Sequence, residues 1–566
     1  VGSLLSILNH TSTSAGARRL RDWIRTPLRS IPEILERQRT VESLAFPPGA
    51  LSTEAAPHRI AYEELTTAIL PRCRHLLKFL QQVHLGKATP SHAVGALQIL
   101  RDVEAHVTSL RTTFAAATDS PQPARKQDQV TLVEQLLEGY PTLERHLSGL
   151  LEEIDATHAR QNDVEKTVQR RLHRRPAQAR QYRAFVQELE LLDRQYDAVL
   201  VCCRGILKSP SLEYSTFRGG SLSDIRHLIP VDRAHLHEVP QGWLVVNSTK
   251  KLVRFHPEEV VQLHVQEEFV KEQKQQLLRS TWRQFVRDVD AAVYVPGVKC
   301  VEILATLDAL CSLATVAQSY PNYARPEFVE AGGATLQIAD GRHPVVERLL
   351  EGTAYIGNSV SMSSSVAGAG SVLVVSGPNM GGKTSLLRMC ALVVILAQMG
   401  SFVPAASVRL SVFDGIHTLM HRSTTPFRPQ GRGSPPCAQE LAALGSISRH
   451  ATKRSLVLVD EIGFGMPAHY AEAVAIAQMR YLVEAVGSQV VFATHLTTSI
   501  EKLQARLGDK CRAKRLEYHF YDQTPTFHYV LRDGIASESF AIETARRAGI
   551  PPEILERAHS FQRNLQ

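Results

Sequence analysis

Apolar positions recur three and four residues apart through "ARRLRDWIRTPL" and "VTLVEQLLEGYPTLERHLSGLLEEI", the spacing that gathers them on one face of a helix. This predicts an almost wholly helical stretch over residues 1–165. The pattern changes around Val201. "GGSLSDIRHLIP" and "GWLVVNSTKKLVRFHP" set glycine and proline around short β-branched runs, which predicts a small strand-containing module that interrupts the helices. From Pro257 the helical spacing returns, with Val261, Val265, Phe269, Leu277 and Phe285 on one apolar side, and a helix that long leaving a small module predicts an arm over 256–335. "TLQIADGRHPVVE", "SVLVVSGPNMGGKTSLL", "SLVLVDEIG" and "SQVVFATHL" then alternate strand and helix patterns, predicting a parallel sheet over 336–545 before a last helical segment, 546–566. The fold class expected is multidomain, α and α/β.

A chain of 566 residues is too long for one hydrophobic core, which agrees with several domains. The net charge of +8 and sequence pI of about 9.0 permit contact with a polyanion without requiring it. The eight cysteines are scattered, with no C-x-x-C pair and no Cys/His cluster at zinc-ligand spacing, so reduced core thiols in an intracellular protein are expected. The opening "VGSLLSILNH" lacks the features of a secretory signal, and a first residue of valine suggests a fragment. The longest apolar run, Met389–Gly400, is shorter than the roughly 18 residues of a membrane span. A buried helix and no membrane contact are expected.

"SVLVVSGPNMGGKTSLLRM" carries G-x-x-x-x-G-K-[ST] as Gly377, Pro378, Asn379, Met380, Gly381, Gly382, Lys383 and Thr384, followed by Ser385, between an apolar strand and a helix. Glycines let backbone N–H groups converge on phosphate oxygens, Lys383 neutralises β/γ charge, and the Thr384 hydroxyl suits Mg²⁺. A glycine-rich turn that binds nothing is the alternative, and the strand and helix flanks argue against it. "LVLVDE" then delivers Asp460 to hold the magnesium and Glu461 to polarise a water, so ATP or ADP with Mg²⁺ is the expected ligand.

"GPNMGGKTSLLRMCALVVILAQMGSFVPA" closely resembles the ATPase core of the MutS mismatch-repair family, with Asn379 and the "GSFVPA" ending more diagnostic than the phosphate loop alone. "GSLLSILNHTSTSAGARRLRDWIRTPL" is similar to the family's core-domain opening and "SESFAIETARRAGIPPEILERA" to its C-terminal segment, so the likeness covers nearly the whole chain. "VPQGWLVVNSTKKLVRFHPEEVV" resembles most the branch of the third eukaryotic homologue. The resemblance implies a helical core with long lever helices, a small clamp, and a P-loop ABC-type ATPase domain ending in dimerisation helices. It also implies an ATP-hydrolysing repair subunit in the nucleus, clamping mismatch- or loop-containing double-stranded DNA as a heterodimer with the second eukaryotic homologue and working with MutL-type proteins. The family's lesion-reading and connector domains would precede residue 1.

By that resemblance the clamp spans 166–255, and Arg170, Arg171, Arg174 and Arg175 in "QRRLHRRP" or Lys250, Lys251 and Arg254 in "STKKLVRF" would meet DNA phosphates; a solvated helix face explains the arginines equally well. Tyr355 falls where the family stacks an aromatic ring on adenine, and His495 where it senses the γ-phosphate; a packed tyrosine and a structural histidine are the plainer alternatives. After "DE" the family reads approximately I-G-R-G-T-S-T, whereas here Phe464, Met466, Pro467 and Ala468 replace the arginine and three hydroxyls. Pro435 and Pro436 stand where the family's partner-reaching segment has Ser-Thr, and only Gly433 and Glu440 survive of it. These departures imply an asymmetric dimer that completes its partner's site poorly. Two other readings stay open: a nucleotide-binding scaffold without turnover, and a meiotic MutS homologue that holds recombination junctions.

Overall fold

The computed structural model describes residues 2–46, 56–118, 130–217, 225–330, 333–350, 354–364, 370–378, 381–420, 436–463, 465–521, 524–536, 545 and 549–565. The chain forms two compact units. One takes residues 75–107 and 140–301, and the other 1–74, 108–139 and 302–566.

In the first unit the helix Val164–Arg174 starts on Asp163, whose side chain accepts from Lys166 N–H, and the 31-residue helix Pro176–Ile206 follows with proline in its first turn. Its apolar positions Leu192, Tyr196, Val199 and Cys203 are spaced for one helical face, and Leu192 and Tyr196 pack on Val260, Leu263 and Val270 of the helix Glu258–Ser319. Among the described residues the first strand begins at Ser215, so the clamp that the resemblance starts at residue 166 is helical over most of its first forty residues, because that apolar spacing persists to Cys203. β1 (Ser215–Phe217), β2 (Ile225–Asp232), β3 (Leu244–Ser248) and β4 (Leu252–His256) make an antiparallel sheet in the order β1-β2-β4-β3. Period-two alternation buries Val253 and Phe255 against Ile229, Val231, Cys203 and Leu207.

In the second unit, buried Asp308 accepts from the N–H groups of Ser12 and Thr13, each at 2.9 Å, and from Thr13 Oγ1 at 2.6 Å. This fastens the start of the helix Ser14–Arg25 to the final turns of Glu258–Ser319. Gly16 lies so close to the Asp308 carboxylate that a Cβ has no room. The strands β5 (Glu327–Phe328), β6 (Thr335–Gly341), β7 (Asn358–Ser363), β8 (Val372–Ser376), β9 (Ser407–Leu410), β10 (Gly415–Met420), β11 (Ser455–Asp460), β12 (Gln489–Thr494), β13 (Cys511–Tyr521) and β14 (Thr524–Asp533) form two sheets. The smaller is ordered β5-β9-β6-β7; the larger, β10-β11-β12-β8-β13-β14, is parallel except at β14. β8, β11 and β12 are buried at every position, as strands covered on both faces must be, which explains their unbroken apolar runs.

The apolar run Met389–Gly400 belongs mainly to the buried helix Lys383–Gln398. Glu258–Ser319 is long and apolar enough to cross a membrane by composition, yet 83% of its most apolar window is packed inside the protein. That apolarity is spent on the core.

Candidate nucleotide site

Three adjacent strands end together. Ser376 of β8 pairs with Thr494 of β12, and Asp460 of β11 pairs with Ala493, so the segments after residues 376, 460 and 494 leave from one edge of the sheet. β12 separates the phosphate-loop strand from the carboxylate strand.

Gly377 (φ 151°) and Gly382 (φ 99°) carry backbone angles that disfavour L side chains, and Gly382 caps the helix Lys383–Gln398 without any side-chain capping bond. The first N–H groups of that helix therefore point toward the loop, where an anion is favoured. Asn379 and Met380 lie outside the described residues. Gly381 N–H donates to Pro378 O at 3.2 Å, and Ser385 is half-buried in the first helical turn.

Lys383 is 5% exposed, and its ammonium donates to Gly377 O at 2.8 Å and Pro378 O at 3.2 Å. Burial pushes its pKa below the ordinary lysine range, while Glu461 and Asp460 pull it back. A phosphate at the loop would supply the negative charge that this buried cation otherwise takes from carbonyl dipoles and a carboxylate 3.8 Å away. Thr384 Oγ1 donates to Asp460 Oδ2 at 2.6 Å. Hydroxyl and carboxylate oxygens side by side are the hard donors that Mg²⁺ takes, so these residues fit the ion.

Glu461 is a non-glycine residue at φ 62°, held there by its N–H bond to Ala493 O at 2.9 Å. The strained angle turns its carboxylate back toward the loop, with Oε1 3.8 Å from Lys383 Nζ and 3.3 Å from His495 Nδ1. His495 itself is well exposed. Lys383, Glu461 and His495 thus converge on one carboxylate, beside the Thr384–Asp460 pair.

Tyr355 is half-buried and bonded to the His343 backbone, and burial pushes its phenol up. A second ring, Tyr529 of β14, was not legible in the sequence. A Cβ at Gly382 would lie 3.3 Å from it. Leu516 pairs with Leu531 and Tyr518 with Phe527, so β14 bulges between them and Tyr529 takes φ 56°. Buried Asn358 fixes the bulge, donating to Tyr529 O at 2.8 Å and accepting from Leu531 N–H at 2.7 Å.

Beyond Glu461, Gly463 N–H donates to Glu440 Oε1 at 2.6 Å, and a Cβ at Gly463 would strike Ala471. The helix Ala468–Arg480 starts on Pro467 with no side-chain cap. Gly433, Pro435 and Phe464 lie outside the described residues, as does the stretch 421–435.

Of the basic residues, Lys250 and Lys251 are exposed in the β3–β4 turn and have no ion pair among the described residues. Arg233, a third exposed cation unmarked by the sequence pattern, braces that turn through Thr249 O at 3.0 Å and Ser248 Oγ at 2.9 Å. Arg254 is half-buried on β4. The "QRRLHRRP" arginines sit at the far end of the helix Pro176–Ile206, about 45 Å along it at 1.5 Å per residue. Arg170, Arg174 and Arg175 face Asp155, Glu152 and Asp288 at 3.5, 3.5 and 3.7 Å. Arg171 corrects the expectation of a phosphate contact: it is 1% exposed and ion-paired with Glu153 and Asp288, so it is an internal residue.

Residues 1–314 match the family model described as MutS domain III, and residues 373–566 that of MutS domain V. The chain is 30% identical over 569 residues to the DNA mismatch repair protein MSH3 of Phaeosphaeria nodorum, covering 100% of this chain and 47% of that protein. It is 30% identical over 572 residues to msh3 of Aspergillus fumigatus, with the same coverage, and 29% identical over 587 residues to Msh3 of Dictyostelium discoideum, covering 98% and 39%. The chain spans about half the length of the curated relatives it matches.

Proposed function

The chain belongs to the MutS family, and from that premise we propose that it is the DNA-clamping and ATP-hydrolysing part of a mismatch-repair subunit of the Msh3 type. The observation that carries this reading is the convergence of Lys383, Glu461 and His495 beside the Thr384–Asp460 pair, at the ends of three neighbouring strands. Lys383 and the open helix start hold the β- and γ-phosphates of ATP. Thr384 and Asp460 hold Mg²⁺, which when bound neutralises charge on the phosphate oxygens. Glu461 orients and polarises the attacking water, and His495 fixes that carboxylate while facing the γ-phosphate side. Tyr529, over the loop, and Tyr355 are the rings offered to the base.

The basic turn at Lys250 and Lys251, braced by Arg233, is the part of the small sheet that meets DNA phosphates without reading sequence. Pairing with the second eukaryotic MutS homologue, preference for insertion–deletion loops, signalling to MutL-type proteins and a nuclear location follow from the same branch likeness. The uncapped start of the helix Ala468–Arg480, at Pro467 and Ala468 where the family carries hydroxyls, favours a functionally asymmetric dimer.

Steady-state ATP turnover by the chain with its partner, on loop-containing duplex DNA, tests this. Glu461→Gln is expected to lower turnover while nucleotide still binds. Unchanged turnover in that variant makes the chain a nucleotide-holding scaffold instead.

A further inference from the structure

Away from the nucleotide site, where the small sheet meets its two helices, His227 of β2 faces His264 and Glu267 of the helix Glu258–Ser319. One ligand-type atom from each lies within 4.8 Å of the others. Two of the ring nitrogens stand out chemically: His227 Nδ1 and His264 Nε2 are both shut off from solvent and have no hydrogen-bond partner among the described residues. A buried imidazole nitrogen left unpaired keeps its full desolvation penalty, so two in one cluster call for a partner.

The backbone goes to some trouble to bring them together. Between the pairs Ser215–Leu228 and Phe217–Ile225 strand β2 carries one residue more than β1, and His227 sits in that bulge at φ 55°. Its ring stacks flat on Tyr196, with centroids 3.9 Å apart and planes 9° from parallel. His264 and Glu267 are three apart on one helical face, with Nδ1 and Oε2 3.7 Å apart. The carboxylate is oriented from outside by Tyr196 Oη, which donates to Oε2 at 3.1 Å, and by Lys271, whose Nζ lies 2.5 Å from Oε1. Supporting bonds of that kind hold metal ligands in place. A third histidine, His256, is near His264, but its Nε2 is already engaged with Arg226 O at 2.9 Å.

We propose that His227, His264 and Glu267 form a zinc-type divalent-cation site, with two imidazole nitrogens and one carboxylate as ligands and a fourth position for water. Neutral imidazole and carboxylate are the ligands of such ions, and a tetrahedral ion at the usual bond lengths would draw ligand atoms now within 4.8 Å of one another to about 3.3 Å apart. The ion would join β2 of the sheet to the helix that carries it, fixing the base of the small sheet. A hydrogen-bonded histidine network leaves those two buried nitrogens unexplained.

The test is zinc binding by the whole chain, stripped of metal and titrated with Zn²⁺ against a chromophoric chelator, with excess Mg²⁺ present to occupy the oxygen donors of the nucleotide site. One equivalent is expected to be held by the unaltered chain, with affinity reduced at least tenfold in His264→Gln and in Glu267→Gln and unchanged in His237→Gln, an exposed histidine outside the cluster. Glu267→Gln keeps the side-chain shape, so it answers the question if His264→Gln fails to fold. No bound zinc in the unaltered chain, or equal affinity in Glu267→Gln, overturns the site.

Discussion

Lys383 is 5% exposed and held by two backbone carbonyls, whereas Lys250 and Lys251 stand on an exposed turn without ion pairs among the described residues. Both places suit phosphate, in opposite ways. At the loop the cation, the glycine backbone and the helix start are fixed before any ligand arrives, so the site selects one geometry and loses little order on binding. At the turn the charges are solvated and screened, so they attract any phosphate backbone with a strength set by salt. Burial separates a site for chemistry from a surface for attachment, and the arginines around Arg171 follow the same division: the buried one is structural and the exposed ones are neutralised by nearby carboxylates.

The contrast can be broken by substitution. The largest expected effect is at the buried cation: Lys383→Ala should weaken nucleotide binding by a hundredfold or more, read with a fluorescent ATP analogue, while nucleotide-free DNA binding is unchanged. Comparable losses of both would mean that the loop and the turn are not separable. Next, Glu461→Gln should lower hydrolysis about a hundredfold with nucleotide affinity within a few-fold, since general-base assistance contributes 10² to 10⁴. Arg171→Leu should cost about 2 kcal/mol in urea unfolding, because Glu153 and Asp288 lose their shared partner, while Arg174→Ala should stay within about 0.5 kcal/mol. An Arg171→Leu chain of full stability with weakened DNA binding would restore the surface role. The smallest effect is at the turn: Lys250→Ala with Lys251→Ala should reduce the slope of log affinity against log salt by about 2, and Arg170→Ala with Arg174→Ala by less.

The candidate nucleotide site was legible because its residues are local in the chain. Gly377 to Thr384 are contiguous, Asp460 and Glu461 are adjacent, and each group ends a run of buried strand residues that announces itself as an apolar block. Tyr529 was hidden by its surroundings: "TFHYV" reads as plain strand, and only the bulge fixed by Asn358 turns its ring onto Gly382. The His227, His264 and Glu267 cluster was hidden by distance, since no sequence spacing links a strand residue to a helical pair beyond the next two strands. The small sheet was legible too: the glycine and β-branched segments after Val201 carry β2, β3 and β4, whereas the start at residue 166 that the family resemblance implied falls in helix, because helical periodicity carries through Cys203.

The most direct measurement of the central claim is single-turnover ATP hydrolysis in the proposed heterodimer when the catalytic glutamate of the other subunit has been removed. If the site on "LVLVDE" works, hydrolysis by this chain persists and disappears on adding Glu461→Gln. Hydrolysis that is already absent, with nucleotide still bound at Lys383, would contradict the claim and leave this chain a scaffold for its partner's chemistry.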